Sequence, residues 1–156
     1  VYIYGIMERQ KSLIAARVLP ENVENVDEWR FWNGREWVVQ KEEVAEITNA
    51  VSNELSVTPT EDGNFLLTFT VLGLSDKVGI RVGTSPVGPF GEIHEVYTCP
   101  EYKEKGLFPY NAKAHYHLSK PGELLISYNT ITLNFWEDIQ KDASIYHPRF
   151  IKVKYK

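Results

Sequence analysis

A chain of 156 residues is long enough for one domain of ordinary size, and its 43% hydrophobic and 24% charged content is that of a folded globular protein. A net charge of −4 with no basic stripe argues against nucleic acid as a partner, since nothing here would track a phosphate backbone. The single cysteine, Cys99, excludes an internal disulfide and a cysteine-rich zinc site, and no apolar run is long enough to span a membrane.

The apolar pattern is mostly of period two, so the chain reads as all-β. "VYIYGIMERQKSLIAARV" pairs an aromatic-rich strand with a second strand of small residues. "ENVENVDEW" reads as one acidic turn in a loop, and "QKEEVAEITNA" as two helical turns with a thin apolar face of Val44 and Ile47. Trp29, Trp32 and Trp37 are expected to wedge between sheets. A four-strand unit follows: Ser52–Thr58, Asn64–Val71, Lys77–Ser85 and Glu92–Tyr97, punctuated by "EDGN" and "SPVGPFG". The last unit is expected to contain a strand Ala112–Ser119, then "GELLISYNT", the long loop "TITLNFWEDIQKDAS" and the strand "IYHPRFIKV". In Ala112–Ser119 the alternation sets Lys113, His115 and His117 on one face.

The first strand of each recurring strand pair, the second of its unit, begins near Val1, Asn64 and Glu123, a spacing of about sixty residues. Repeated four-strand units of this kind predict propeller blades, with a two-sheet sandwich as the rival architecture. Residues 1–40 would form a blade lacking its inner strand, 51–98 a complete blade, and 111–156 a blade lacking its outer strand. Two and a half to three blades leave raw sheet edges, which proteins usually cover. The sequence opens on Val1 and not on Met, so the expectation is a chain cut from something longer, or one that pairs with another copy or another chain through those edges.

"VSNELSVT", "TSPVGPF", "YNAKAHYHLS", "ELLISYN" and "YHPRFIKV", in that order, resemble an uncharacterised bacterial propeller family, a domain of unknown function related to the five-bladed glycoside hydrolases of family 43. The resemblance covers nearly the whole chain and implies the C-terminal half of a five-bladed ring. It also implies work on a glycan or oligosaccharide outside the cytoplasm (secreted, periplasmic or at the cell surface), with no cofactor beyond an ion such as calcium in the channel. "TSPVGPF" has a structural reason: Pro86 and Pro89 restrict φ, Gly88 allows a tight bend, and Phe90 plugs between sheets.

Ligand sites of such propellers lie at the mouth of the central channel. Aligning "ELSV" with "HYHL" matches Glu54 with His115 and Ser56 with His117. The glycosidases that this chain resembles take their general acid from a glutamate of a later blade, which puts Glu54 in that role; the alternative is a carboxylate that merely accepts hydrogen bonds, from backbone or from Arg149. Sugar hydrolysis needs a second carboxylate. Asp62, Asp76, Asp138 and Asp142 all read as turn or loop residues, so the partner would come from blades outside this chain. His115 and His117 could bind ligand, share a metal with Glu54, or serve the fold alone. Asn111 and Tyr128 lie near strand ends, and Arg149 is suited to a carboxylate of a ligand or of Glu54. Trp136 would stack on a sugar or anchor its loop. The rival readings are a non-catalytic binding module for sugar or protein, and a structural piece that assembles with another chain.

Overall fold

A computed structural model describes residues 1–154, apart from the side chain of Glu104. It is all-β, built from three antiparallel sheets of up to four strands that follow one another along the chain. The first contains β1 (Tyr2–Met7), β2 (Ser12–Arg17), β3 (Arg30–Trp32) and β4 (Trp37–Val38) in that order. The second contains β5 (Leu55–Pro59), β6 (Phe65–Thr70), β7 (Lys77–Gly83) and β8 (His94–Thr98), again in order. The third contains β9 (Phe108–Ala114), β10 (Glu123–Ile131) and β11 (Arg149–Lys154), with β10 in the centre. These are up-and-down sheets packed face to face like the blades of an open propeller, and they do not close into a ring.

The middle sheet is buried on both faces because β6 is apolar in both phases of the pleat. Leu67 and Phe69 turn to the first sheet and pack with Leu13, Val51 and Val71. Leu66 turns the other way, toward a core formed by Val78, Ile80, Cys99, Ala112, Ala114, Leu124, Ile126 and Tyr128. On β10 the buried residues alternate strictly, so that sheet shows one face to the core. Ala112 and Ala114 are small, which lets β9 lie close against β6. Burying Leu67 and Phe69 completely is worth about 1.5–3 kcal/mol each. Phe90 plugs between the first two sheets, and it bridges to Gly83.

Several expectations are corrected. The strand placed at Ala112–Ser119 starts earlier and ends at Ala114; Tyr116–Leu118 is a 3-10 turn. Ser119 replaces the lost ladder there, its hydroxyl donating to His115 O and accepting from Leu125 N–H. "QKEEVAEITNA" forms only a 3-10 turn, Lys41–Glu43. The two α-helices lie elsewhere: α1 (Pro100–Lys105) and, inside the expected long loop, α2 (Phe135–Lys141). Trp29 is no wedge; its indole N–H donates to Val23 O and ties down the loop before β3. Among the described residues no helix is long and apolar enough to cross a membrane.

Candidate functional site

β5 and β9 run side by side, and two contacts fix their direction. Ser56 Oγ accepts from Ala114 N–H at 2.9 Å, and Tyr116 OH accepts from Glu61 N–H at 3.1 Å, so both strands advance together. The expected neighbourhood of the two strands is present, but the register differs from "ELSV" over "HYHL". Ser56 meets Ala114 and not His117, which brings Glu54 toward the beginning of β9.

Glu54 stands just ahead of β5, half-buried. Its backbone is fixed by the fully buried Ser52, whose hydroxyl donates to Glu54 O at 2.5 Å and accepts from Thr70 N–H at 3.1 Å. Its charge reaches one phenol, that of Tyr110. Tyr110 on β9 is pushed up to about 12 by burial first, then by the neighbouring Tyr146 hydroxyl, and also by the negative charge of Glu54. Beside Tyr110, Asn111 has φ +58°, the left-handed region that Asn tolerates better than most residues. The conformation belongs to the register shift of β9 on β10 between Ser127 and Asn129. Among the described residues the buried Asn111 Oδ1 atom has no hydrogen-bond partner.

The excursion between β10 and β11 covers this corner. Phe135 packs edge-on to both Tyr146 and Trp136, with ring centroids 5.2 Å apart in each pair. Phe135 is the anchor, whereas Trp136 is 78% exposed and holds nothing in place. The turn bearing Tyr146 is clamped from several directions. Asp142 accepts from Ser144 N–H at 2.9 Å, and that hydrogen bond, through side chain and backbone, holds its carboxyl below the usual range. Thr130 Oγ1 donates to Ile145 O at 2.6 Å.

Arg149 gathers this clamp. Nη1 donates to Thr130 Oγ1 at 2.7 Å and to His147 O at 3.1 Å, Nη2 to Ser144 O at 3.4 Å, and Nε to Glu101 Oε1 at 2.8 Å. The carboxylate that Arg149 meets is therefore that of Glu101 on α1, not Glu54. Tyr128 donates to both oxygens of Glu101, at 3.1 and 3.0 Å, and is buried in this network rather than presented at a surface. Burial first, then the Tyr97 hydroxyl, raises its phenol far above the ordinary value. Burial, followed by the charges of Glu101 and Asp76, pushes the Cys99 thiol up to about 12.

The histidines lie apart from Glu54. His115 Nε2 sits 2.7 Å from Ser127 Oγ, on the face of the third sheet turned away from the core, and its ring is 6.2 Å from that of His117. His117 is exposed in the 3-10 turn. Among the described residues no three His, Cys, Asp or Glu side chains group closely enough to hold a metal ion, so a trio of Glu54, His115 and His117 is not assembled. Asp62, in the β5–β6 turn, is occupied by Thr60 and Asn64. Asp138 pairs with Lys141 on α2, at 3.6 Å.

Residues 1–155 match the model of a family described as Domain of unknown function (DUF5005). The chain belongs to this family. No curated protein matches the domain. Among solved structures, the DUF5005 domain is similar to a Bacteroides ovatus protein whose crystal structure is described as that of a "putative hydrolase". The TM-score is 0.74 at 23% identity over 97% of this chain, which is a likeness of fold. The domain spans 41% of that protein's chain.

Two residues of the corner, Tyr110 and Tyr146, were not among the sequence candidates. Tyr110 opens the quoted "YNAKAHYHLS", and a strand begun two residues before Ala112 would have included it. Pro109 hides that start, since proline within a strand fits only an edge, which is where β9 lies. Nothing in the sequence announces that Tyr146 folds back onto Tyr110.

Proposed function

We propose that this domain is a carbohydrate-recognising part of a hydrolase-type propeller, with its sugar site at the corner of Glu54, Tyr110, Asn111 and Tyr146. One observation carries the reading. The half-buried Glu54 carboxylate acts through its charge on the Tyr110 phenol, Tyr146 lies beside that phenol, and the excursion that carries Tyr146 displays an exposed indole. Sugars are bound in this way: polar groups converge on the hydroxyls while an aromatic face covers the ring. The description of the Bacteroides ovatus neighbour supports the hydrolase side of the proposal.

In a glycosidase, Glu54 would protonate the leaving glycosidic oxygen while a second carboxylate attacks carbon or activates water. That second group would come from the remainder of a longer protein, in a five-bladed ring of which this domain is a part. Asp62 and Asp138 are engaged elsewhere, which favours a second reading, a site that binds glycans without cleaving them. Glu54→Gln in the full-length protein decides between them, tested on a panel of plant and host oligosaccharides. The hydrolase reading expects turnover to fall at least a thousandfold with the fold intact. The binding reading expects no turnover in either form but a loss of affinity of about tenfold. Unchanged turnover together with unchanged affinity removes Glu54 from the site.

A further inference from the structure

Asn33 is the one asparagine of the chain that precedes a glycine. The pair sits at the tip of the β3–β4 hairpin, which Asn33 N–H closes by donating to Glu36 O at 3.1 Å. The hairpin requires the glycine: Gly34 has φ +93°, a region that strains most residues with a side chain. It requires less of Asn33. The Oδ1 atom accepts from Arg35 N–H at 3.0 Å and from Glu36 N–H at 2.9 Å, and among the described residues Nδ2 donates to nothing. A carboxylate in this place would accept the same two hydrogen bonds, more strongly for its charge. The turn is built for the oxygen and makes no use of the nitrogen.

That nitrogen is a leaving group next to an attacking one. Gly34 is exposed, its N–H has no acceptor among the described residues, and it carries no Cβ to shield the approach. The two N–H groups on Oδ1 draw electron density from Cγ, as donors do at a carbonyl under attack. The hairpin also opens locally at little cost. Strand β4 is two residues long and meets β3 only through Phe31 with Val38 and Trp32 with Trp37.

We propose that Asn33 is a self-modification site, where the chain converts its own side-chain amide to a carboxylate through a cyclic imide. The Gly34 nitrogen gives its proton to solvent base and bonds to Asn33 Cγ. The Cγ–Nδ2 bond breaks, and Nδ2 takes up a proton from water and leaves as ammonia. Water then opens the imide. Cleavage between Cγ and the ring nitrogen gives aspartate; cleavage between the Asn33 backbone carbonyl and that nitrogen gives isoaspartate. No electrons are exchanged with any other group. The two products fit differently. Aspartate returns an oxygen to the N–H groups of Arg35 and Glu36. Isoaspartate adds a carbon to the main chain and drives Trp32 out of register with Trp37, whose ring centroid lies 5.3 Å away. The fold therefore selects aspartate, and the chain becomes one charge more negative than −4. This site shares no residue with the Glu54 corner and stands without it.

The test is peptide mass mapping of the folded chain held at pH 8 and 37 °C beside the same chain in urea, with fragmentation to tell isoaspartate from aspartate. Asn33 is expected to gain about one dalton at least tenfold faster than any other asparagine, at a rate within about tenfold of that in urea. Aspartate should exceed isoaspartate in the folded chain and fall below it in urea. Gly34→Ala should slow the change at least tenfold in either arm, so the urea arm serves if that variant fails to fold. Asn33→Asp should keep or raise Tm. An intact Asn33 amide once the urea sample has converted, another asparagine converting as fast, or a rate indifferent to Gly34→Ala overturns the proposal. Excess isoaspartate in the folded chain, or a lower Tm in Asn33→Asp, overturns the selection of aspartate by the turn.

Discussion

Arg149 Nε lies 2.8 Å from Glu101 Oε1, with 13% and 15% of the two side chains exposed, and this ion pair ties β11 to α1. Both partners have further hydrogen bonds: Tyr128 donates to Glu101, and Arg149 donates to Thr130, Ser144 and His147. Removing one member strands the other where water reaches it poorly. Glu101→Ala or Arg149→Ala should therefore cost about 3 kcal/mol. For a chain of this size that is a fall in Tm of about 5–10 °C. Arg149→Lys keeps the charge but not the fork, so part of the loss should remain. A Tm within 2 °C of the parent in Arg149→Ala would mean that the pair is a bystander.

Alkali should unfold the domain in a defined window. Tyr110 and Cys99 are both pushed up to about 12, from ordinary values of 10.0 and 9.0, burial being the largest cause for each. The folded chain thus keeps protons that the unfolded chain has already released. Their contribution to stability is complete below about pH 9 and declines as pH rises toward 12. Urea unfolding at pH 8, 10 and 11.5 should give a falling series. Tyr146→Phe removes the hydroxyl that adds to the burial of Tyr110 and should bring one tyrosine titration, followed by absorbance near 295 nm, part of the way back toward its ordinary position. A Tyr110 titration insensitive to this substitution would break the proposed link across the corner.

The middle sheet was legible because three signals agree there: alternation in "NFLLTFT", a turn in "EDGN" and a bend in "SPVGPFG". The start of the third sheet was not. "AKAHYHLS" continues to alternate after the strand has ended, because a 3-10 turn can carry the same polarity pattern as two more strand residues. Helix α1 did have a signal, proline at its start and glycine in the left-handed region at its end, in "PEYKEKG". Glu54, Asn111 and Arg149 could be singled out by residue type, but their partners could not. Whether Arg149 meets Glu54 or Glu101 depends on which sheet face α1 covers, and no local pattern records that.

Gly83 is required by Phe90. A Cβ at this glycine would lie 2.6 Å from the phenyl ring that fills the space between the first two sheets. The ring cannot retreat without opening the core, so Gly83→Ala should destabilise by about 2–3 kcal/mol. Gly91, where φ is likewise not positive and a Cβ would meet only Val82 O at 3.6 Å, is the control through Gly91→Ala for the change in backbone freedom alone. Urea midpoints compare the two, and equal losses would show that the Phe90 contact is yielding.

Trp136 separates binding from folding. At 78% exposure its indole contributes little to the core, so Trp136→Ala should change stability by less than about 0.5 kcal/mol. If the excursion is a sugar platform, the same change should lower affinity for a bound oligosaccharide by about tenfold.

Asn111 sharpens the point, because its backbone and its side chain make different demands. Asn111→Gly accepts φ +58° without strain and should leave the fold as stable as before, while removing Oδ1 from the corner. Asn111→Val should cost about 2 kcal/mol through strain at that same φ. A glycine variant that is fully stable yet binds sugar poorly assigns the amide to the ligand. A glycine variant that binds as well as the parent assigns Asn111 to the bulge alone and moves the sugar contacts to Tyr110, Tyr146 and Glu54.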